Sequence, residues 1–234
     1  MKEIAIFCYL FLLIATGLCA QEADTREKAT TKGRSAWIIT TDIPEGIGNP
    51  VTLLSGETYK EFILSKREPT EAVQIPADGL IQILQKTQNP ENPSYSKLAE
   101  IRIDKQIQNV LIILVPVIKD PEKPVFEAKL QDLSTFKKGD WLFVNTSKFS
   151  VSVETDHEKL SMDPDQSKIW AASASGPTTK LSMRYRPDGK EADTWKLISS
   201  SSVAIYDTRR EICILSWSER HSRMDFNGFT LTAP

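Results

Sequence analysis

Residues 109–118 read N-V-L-I-I-L-V-P-V-I, and residues 180–186 read K-L-S-M-R-Y-R. The second stretch puts Leu181, Met183 and Tyr185 on one side and Lys180, Ser182, Arg184 and Arg186 on the other, the period of two that a half-buried strand requires. The first is apolar without a break from Val110 to Val115, so neither of its faces tolerates water and it belongs in the middle of a sheet. Pro116 brings no N–H to a ladder, which predicts that the inner part of this strand ends near Val115.

Working outward, short runs of the same kind recur. Upstream they fall at residues 36–41, 51–54, 59–64, 72–75, 80–84 and 98–103, separated by turn-forming clusters such as Pro76-Ala77-Asp78-Gly79. Downstream they fall at 125–130, 141–144, 149–153, 160–162, 168–172, 195–206, 212–217 and 228–232. Helical spacing is nearly absent, with a turn or two on offer only at 94–101 and 127–136. The pattern predicts an all-β protein, an antiparallel β-sandwich built as one large or two packed immunoglobulin-like modules. In the two-module form, residues 35–130 make an N-terminal β module and 131–234 a C-terminal one. No repeat at a fixed period stands out in the sequence.

The N-terminus predicts export. Lys2 precedes an unbroken apolar run from Ile4 to Ile14, and the small residues Ala15, Gly17 and Ala20 follow before the chain turns polar at Gln21. That is the plan of a signal peptide over residues 1–20, cleaved after Ala20. The run is shorter than the roughly 20 apolar residues needed to cross a bilayer, so no transmembrane segment is expected in the mature chain. Lipidation at Cys19, which would make a lipoprotein, is disfavoured because Leu18 is large where a small residue is wanted. Residues 21–34, rich in charge and with alanine as their one apolar type, read as a flexible spacer.

Charge and cysteine content narrow the function classes. Removing residues 1–20 takes out Lys2 and Glu3 and leaves the formal charge at −2, so the basic excess of a nucleic-acid-binding protein is missing. Cys8 and Cys19 depart with the signal peptide, and Cys213, alone in the apolar run I-C-I-L, is expected in the core.

Candidate chemistry is sparse. His157 and His221 both lie in polar turns, without the spacing of a zinc site or the turn of a serine nucleophile. Cys213, His221 and Met224 have the donor types of a cupredoxin-like metal site, but seven residues separate the cysteine from the histidine. The acid pairs Asp163 with Asp165 and Glu154 with Asp156 have the residue types of glycoside hydrolysis, and both sit at turns. Asn145-Thr146-Ser147 matches a glycosylation acceptor. The arginines 184, 186, 209, 210, 220 and 223 suggest a basic face, which acidic neighbours offset. Among the five tryptophans, Trp141 and Trp217 read as core, while Trp170 and Trp195 are the candidates for a sugar-stacking platform.

The segments V-L-I-I-L-V-P-V, F-K-K-G-D-W-L-F-V-N-T-S and W-K-L-I-S-S-S-S-V-A-I-Y, spread over residues 110–217, are similar to a group of uncharacterised exported bacterial β-sandwich-like proteins. The resemblance implies a bacterial envelope or periplasmic setting and brings no chemistry with it. The expectation is therefore an exported, non-enzymatic protein, periplasmic or extracellular and without a cofactor, acting by binding or structural association with an envelope protein or polysaccharide. Its exposed edge strands are the natural contact surface. A glycan-binding module or weak glycan hydrolase is the alternative.

Overall fold

The computed structural model describes residues 33–86, 94–117, 125–187 and 194–232. The segment assigned to a signal peptide and nearly all of the spacer lie outside them. From Gly33 onward the chain forms one compact unit.

Among the described residues, sixteen strands build four four-stranded sheets. The first eight are β1 (Ser35–Thr40), β2 (Val51–Ser55), β3 (Thr58–Phe62), β4 (Val73–Gln74), β5 (Leu80–Lys86), β6 (Tyr95–Arg102), β7 (Asn109–Pro116) and β8 (Phe126–Asp132). They pair in the orders β4-β1-β7-β8 and β3-β2-β5-β6. The second eight are β9 (Trp141–Asn145), β10 (Ser150–Thr155), β11 (Lys159–Met162), β12 (Ser167–Trp170), β13 (Thr178–Arg186), β14 (Lys196–Ala204), β15 (Glu211–Ser218) and β16 (Arg223–Thr230), in the orders β12-β9-β15-β16 and β11-β10-β13-β14. The protein is thus all-β, with two sandwich-like units. The pairings are antiparallel except for β1 with β7 and β9 with β15, which run parallel.

The two halves trace the same path. Leu53 faces Ile83 across β2 and β5, and Val153 faces Met183 across β10 and β13. The register slips by a residue after Ile83 in one half and after Met183 in the other, so even the bulge recurs at the same place. This corrects the sequence reading, in which no repeat was visible. A core position asks for an apolar side chain of roughly the right volume, so Leu can stand for Val and Ile for Met with the backbone plan intact.

The sheets stack in four layers around three cores. Alternate residues of β7 face opposite ways: Val110, Ile112 and Leu114 join a core with the β3-β2-β5-β6 sheet, while Leu111 and Ile113 join a core with Leu142, Val144, Ile212 and Ile214 of the second half. Likewise Cys213 and Leu215 of β15 turn toward Val151, Val153 and Met183, against the β11-β10-β13-β14 sheet. Strands β1, β7, β9 and β15 are therefore covered on both faces, which accounts for their continuous apolar sequences. Pro116 does lie within β7, but beyond Leu114, the last partner of Thr40 on β1, so its missing N–H interrupts no bond to β1.

Two local expectations give way to sheet pairing. The weak helical spacing at 94–101 and at 127–136 is overridden, since the first segment becomes β6 against β5 and the second becomes the end of β8 against β7 followed by a turn at 133–136. Residues 195–206 form one strand across the four serines, and 168–172 splits into the end of β12 and a 3₁₀ turn at Ala172–Ser175.

Candidate binding surface

The four sheets expose edges, and two of those edges are counterparts. β6 closes one side of the first outer sheet and β14 the same side of the second. Neighbouring pairs in an antiparallel ladder alternate between bonded and non-bonded, so one bond sets the phase of the whole strand. Ile103 N–H donates to the Gly79 carbonyl at 2.9 Å, and Ile205 N–H to the Pro177 carbonyl at 2.9 Å. Counting back from these in steps of two, the backbones of Glu100 and Arg102 on β6, and of Ser200, Ser202 and Ala204 on β14, point to the open side.

The side chains at these equivalent places differ in kind. β6 carries Lys97, Glu100 and Arg102, with Lys97 Nζ 2.8 Å from Glu100 Oε2 and Arg102 within 3.9 Å of the same carboxylate. The hydrogen bond from Lys97, that from Gln82, and the lysine's charge hold the Glu100 carboxyl below its ordinary range. A charged edge of this sort discourages another strand from adding. β14 has no charge from Leu197 to Ala204, no proline, and four consecutive serines. Its Leu197 is 60% exposed. Val203 and Ile198 on β14, and Ile205 just after it, are half-buried at the margin of the second core.

Each end of β14 carries an aromatic ring under an arginine. Trp195 lies 5.7 Å from the Arg186 guanidinium, and Tyr206 4.1 Å from that of Arg209. Such pairs are worth roughly 0.5–1 kcal/mol at exposed sites, and Trp, Tyr and Arg are the residues most enriched at the energetic centres of protein interfaces. Two members of the arginine group thus flank β14, while Arg223 is held by Asp225 at 2.8 Å.

The other sequence candidates scatter. Trp170 is 2% exposed and packs against Trp141 in the second core, so it offers no face to a sugar. Trp195 is half-buried at the surface. Cys213 is buried, its Sγ 3.8 Å from Met183 Sδ, and burial pushes its thiol up to about 12. His221 sits in the turn after β15, bonded to Ser218 Oγ at 3.1 Å. Cys213 pairs with Gly228 whereas Met224 pairs with Trp217, so cysteine and histidine lie well apart along the hairpin and no cupredoxin-like set forms.

The acid pairs serve the framework. Glu154 is bonded to Lys159 at 2.8 Å, which holds its carboxyl below the ordinary range, the wrong direction for a general acid. Asp156 accepts from the Lys180 N–H at 2.8 Å, Asp163 from Ser150, and Asp165 from Lys129. Asn145 is wholly buried, its Nδ2 donating to the Phe149 and Asp163 carbonyls, and so presents no exposed glycan acceptor.

A cleft of about 310 Å³ opens where the ends of the inner sheets meet, but Lys66 is bonded to Asp42 there and Lys148 to Glu219. Those four charges are spent on one another. Sequence reading singled out Trp195 and missed the edge itself, whose only signal was the uncharged serine run. No family model matches the chain, and no curated protein matches its sequence.

Proposed function

We propose that this chain is an exported protein of the bacterial envelope or periplasm that works without catalysis, by binding or structural association, and that the β14 edge is its contact surface. The observation that carries this reading is the contrast between two equivalent edges. One is charged at Lys97, Glu100 and Arg102, and the other is uncharged from Leu197 to Ala204 and bracketed by Trp195 and Tyr206. An open, neutral strand offers its unpaired N–H and C=O groups to an extended partner, which adds as one more strand of the sheet.

A sugar platform draws less support. It needs at least two solvent-facing rings in one line, and at β14 Trp195 and Tyr206 stand at opposite ends, on the order of 30 Å apart at the rise of a strand, while the exposed rings of Tyr59 and Tyr95, 5.6 Å apart, belong to the first outer sheet and not to this edge. Export rests on the signal-peptide pattern of residues 1–20.

The test places a photocrosslinking amino acid at position 200 or, as its counterpart, at position 100, in the full chain expressed in a bacterium. The chain is expected in the envelope fraction, with crosslinked products from position 200 and none from position 100. Retention in the cytoplasm defeats the export reading. Equal products from both positions, or none from either, defeat the edge reading.

A further inference from the structure

We infer that the occupant of the β14 edge is a second copy of this chain, paired antiparallel about Ser202 so that two β11-β10-β13-β14 sheets become one continuous sheet. This rests on the reading of β14 as a docking edge. A two-fold axis perpendicular to such a sheet must pass midway between a residue and its own mate, because neighbouring pairs alternate in bonding and in the face they present. Ser202, whose N–H and C=O point outward, meets that condition.

Centring there uses the regular part of the strand. The bulge opposite Met183 and Arg184 lies before Ser199, leaving residues 199–205 unkinked. In this register Ser202 faces Ser202, Ser200 faces Ala204 of the second copy, Ser201 faces Val203, and Ser199 faces Ile205. Outward-pointing backbone meets outward-pointing backbone at Ser202 and at Ser200 with Ala204. The odd-numbered positions lie on the core side, so Val203 and Ile205, half-buried at the margin of one core, extend toward the other copy's core.

Charge singles out a second copy as the occupant. Self-pairing sets like against like at the residue on the axis, and an edge is fit for it only where that residue carries no charge. On β14 every facing pair from Ser199 to Ile205 is neutral, and a net charge of −2 adds little repulsion between whole chains. On β6 the same register would centre on Arg102 and oppose two guanidiniums, each 81% exposed. The interface is isologous and closes as a dimer, with no free β14 edge left to extend it.

The test is sedimentation velocity on the exported chain, with the double variant Ser200→Glu and Ser202→Arg. That variant installs on β14 the residues that β6 carries at the same places, so the strand plan is known to accept them. The wild-type chain is expected at twice the monomer mass and the variant at the monomer mass with an unchanged near-UV circular dichroism spectrum. Ser202→Cys, which faces itself, is expected to give a disulfide-linked dimer in air, and Ser200→Cys is not. A wild-type monomer at every soluble concentration, or a dimer that survives the double variant, overturns the self-pairing. If the chain is monomeric yet position 200 still crosslinks to a different envelope protein, the docking-edge reading stands and only the identity of the occupant is wrong. If neither association occurs, both fail. Should the double variant unfold, Ser202→Lys alone supplies the same comparison.

Discussion

Lys129 of β8 and Asp165, in the turn between β11 and β12, meet at 3.1 Å and tie the first sandwich to the second. The same ammonium holds Glu127 at 2.6 Å. Burial pulls the Lys129 pKa down, but the hydrogen bonds and charges of Glu127 and Asp165 outweigh it and leave the pKa above the ordinary lysine value. A raised lysine pKa contributes stability that is complete below the unfolded-state value and lost as pH climbs through the folded one. Lys129→Ala should therefore cost about 0.5–1 kcal/mol at neutral pH, small because Asp165 is exposed. The difference from wild type should shrink only in strongly alkaline solution, as urea titrations at pH 7 and above the lysine range will read. An equal difference at both would remove the ion pair as its cause.

The shared core predicts cooperative unfolding. Ile113 and Ile214 come from different halves and lie in the same buried cluster. Ile113→Ala and Ile214→Ala should each cost roughly 2–4 kcal/mol, and calorimetry should show one transition moving to lower temperature in both. Two separating transitions would mean that the sandwiches unfold independently.

Asn145 tests a polar group within the second half. Its amide donates to the Phe149 and Asp163 carbonyls at 2.7 and 3.0 Å, and its oxygen accepts from Ser147 N–H and Oγ at 3.1 and 2.7 Å. Asn145→Ala leaves the buried Ser147 N–H without its acceptor and weakens the bonding of the Phe149 carbonyl, which keeps Ser147 Oγ at 3.3 Å, and should cost about 1–3 kcal/mol. Denaturant melts will check this, and a loss below about 1 kcal/mol would indicate that water takes over the bonds.

Cys213 should be chemically silent. With its thiol pushed up to about 12, only about one part in 10⁴ is thiolate at pH 8. In the chain without residues 1–20, a thiol reagent should leave the folded protein unlabelled for hours and modify Cys213 at once in denaturant. Fast labelling of the native protein would place the side chain outside the core.

Iodide should quench only part of the tryptophan fluorescence, since Trp37 and Trp170 are buried and Trp141, Trp195 and Trp217 are half-buried, with Arg186 beside Trp195 and Lys148 beside Trp217 to draw the anion. Trp195→Phe should remove a share of that quenching, and soluble envelope polysaccharides should leave the Trp195 share unchanged. Protection by one of them would instead favour the glycan-binding reading.

Most strands were legible in the sequence because their signal is local. Leu181, Met183 and Tyr185 alternate with polar residues whatever surrounds them, and the bulky apolar run at 110–115 permits little else. What covers each face was not legible, because an apolar side chain specifies burial and not the partner that buries it. Trp170 looked available for a ligand until β12 paired with β9 and turned its ring inward against Trp141. The serine run at 199–202 could be read directly, but an edge is defined by the absence of a neighbouring strand, which depends on the order of the whole sheet. Sequence alone determined the all-β class and the burial of Cys213. The four-layer stack, the recurring strand plan and the open β14 edge were decided by long-range pairing, which one strand's own residues do not encode.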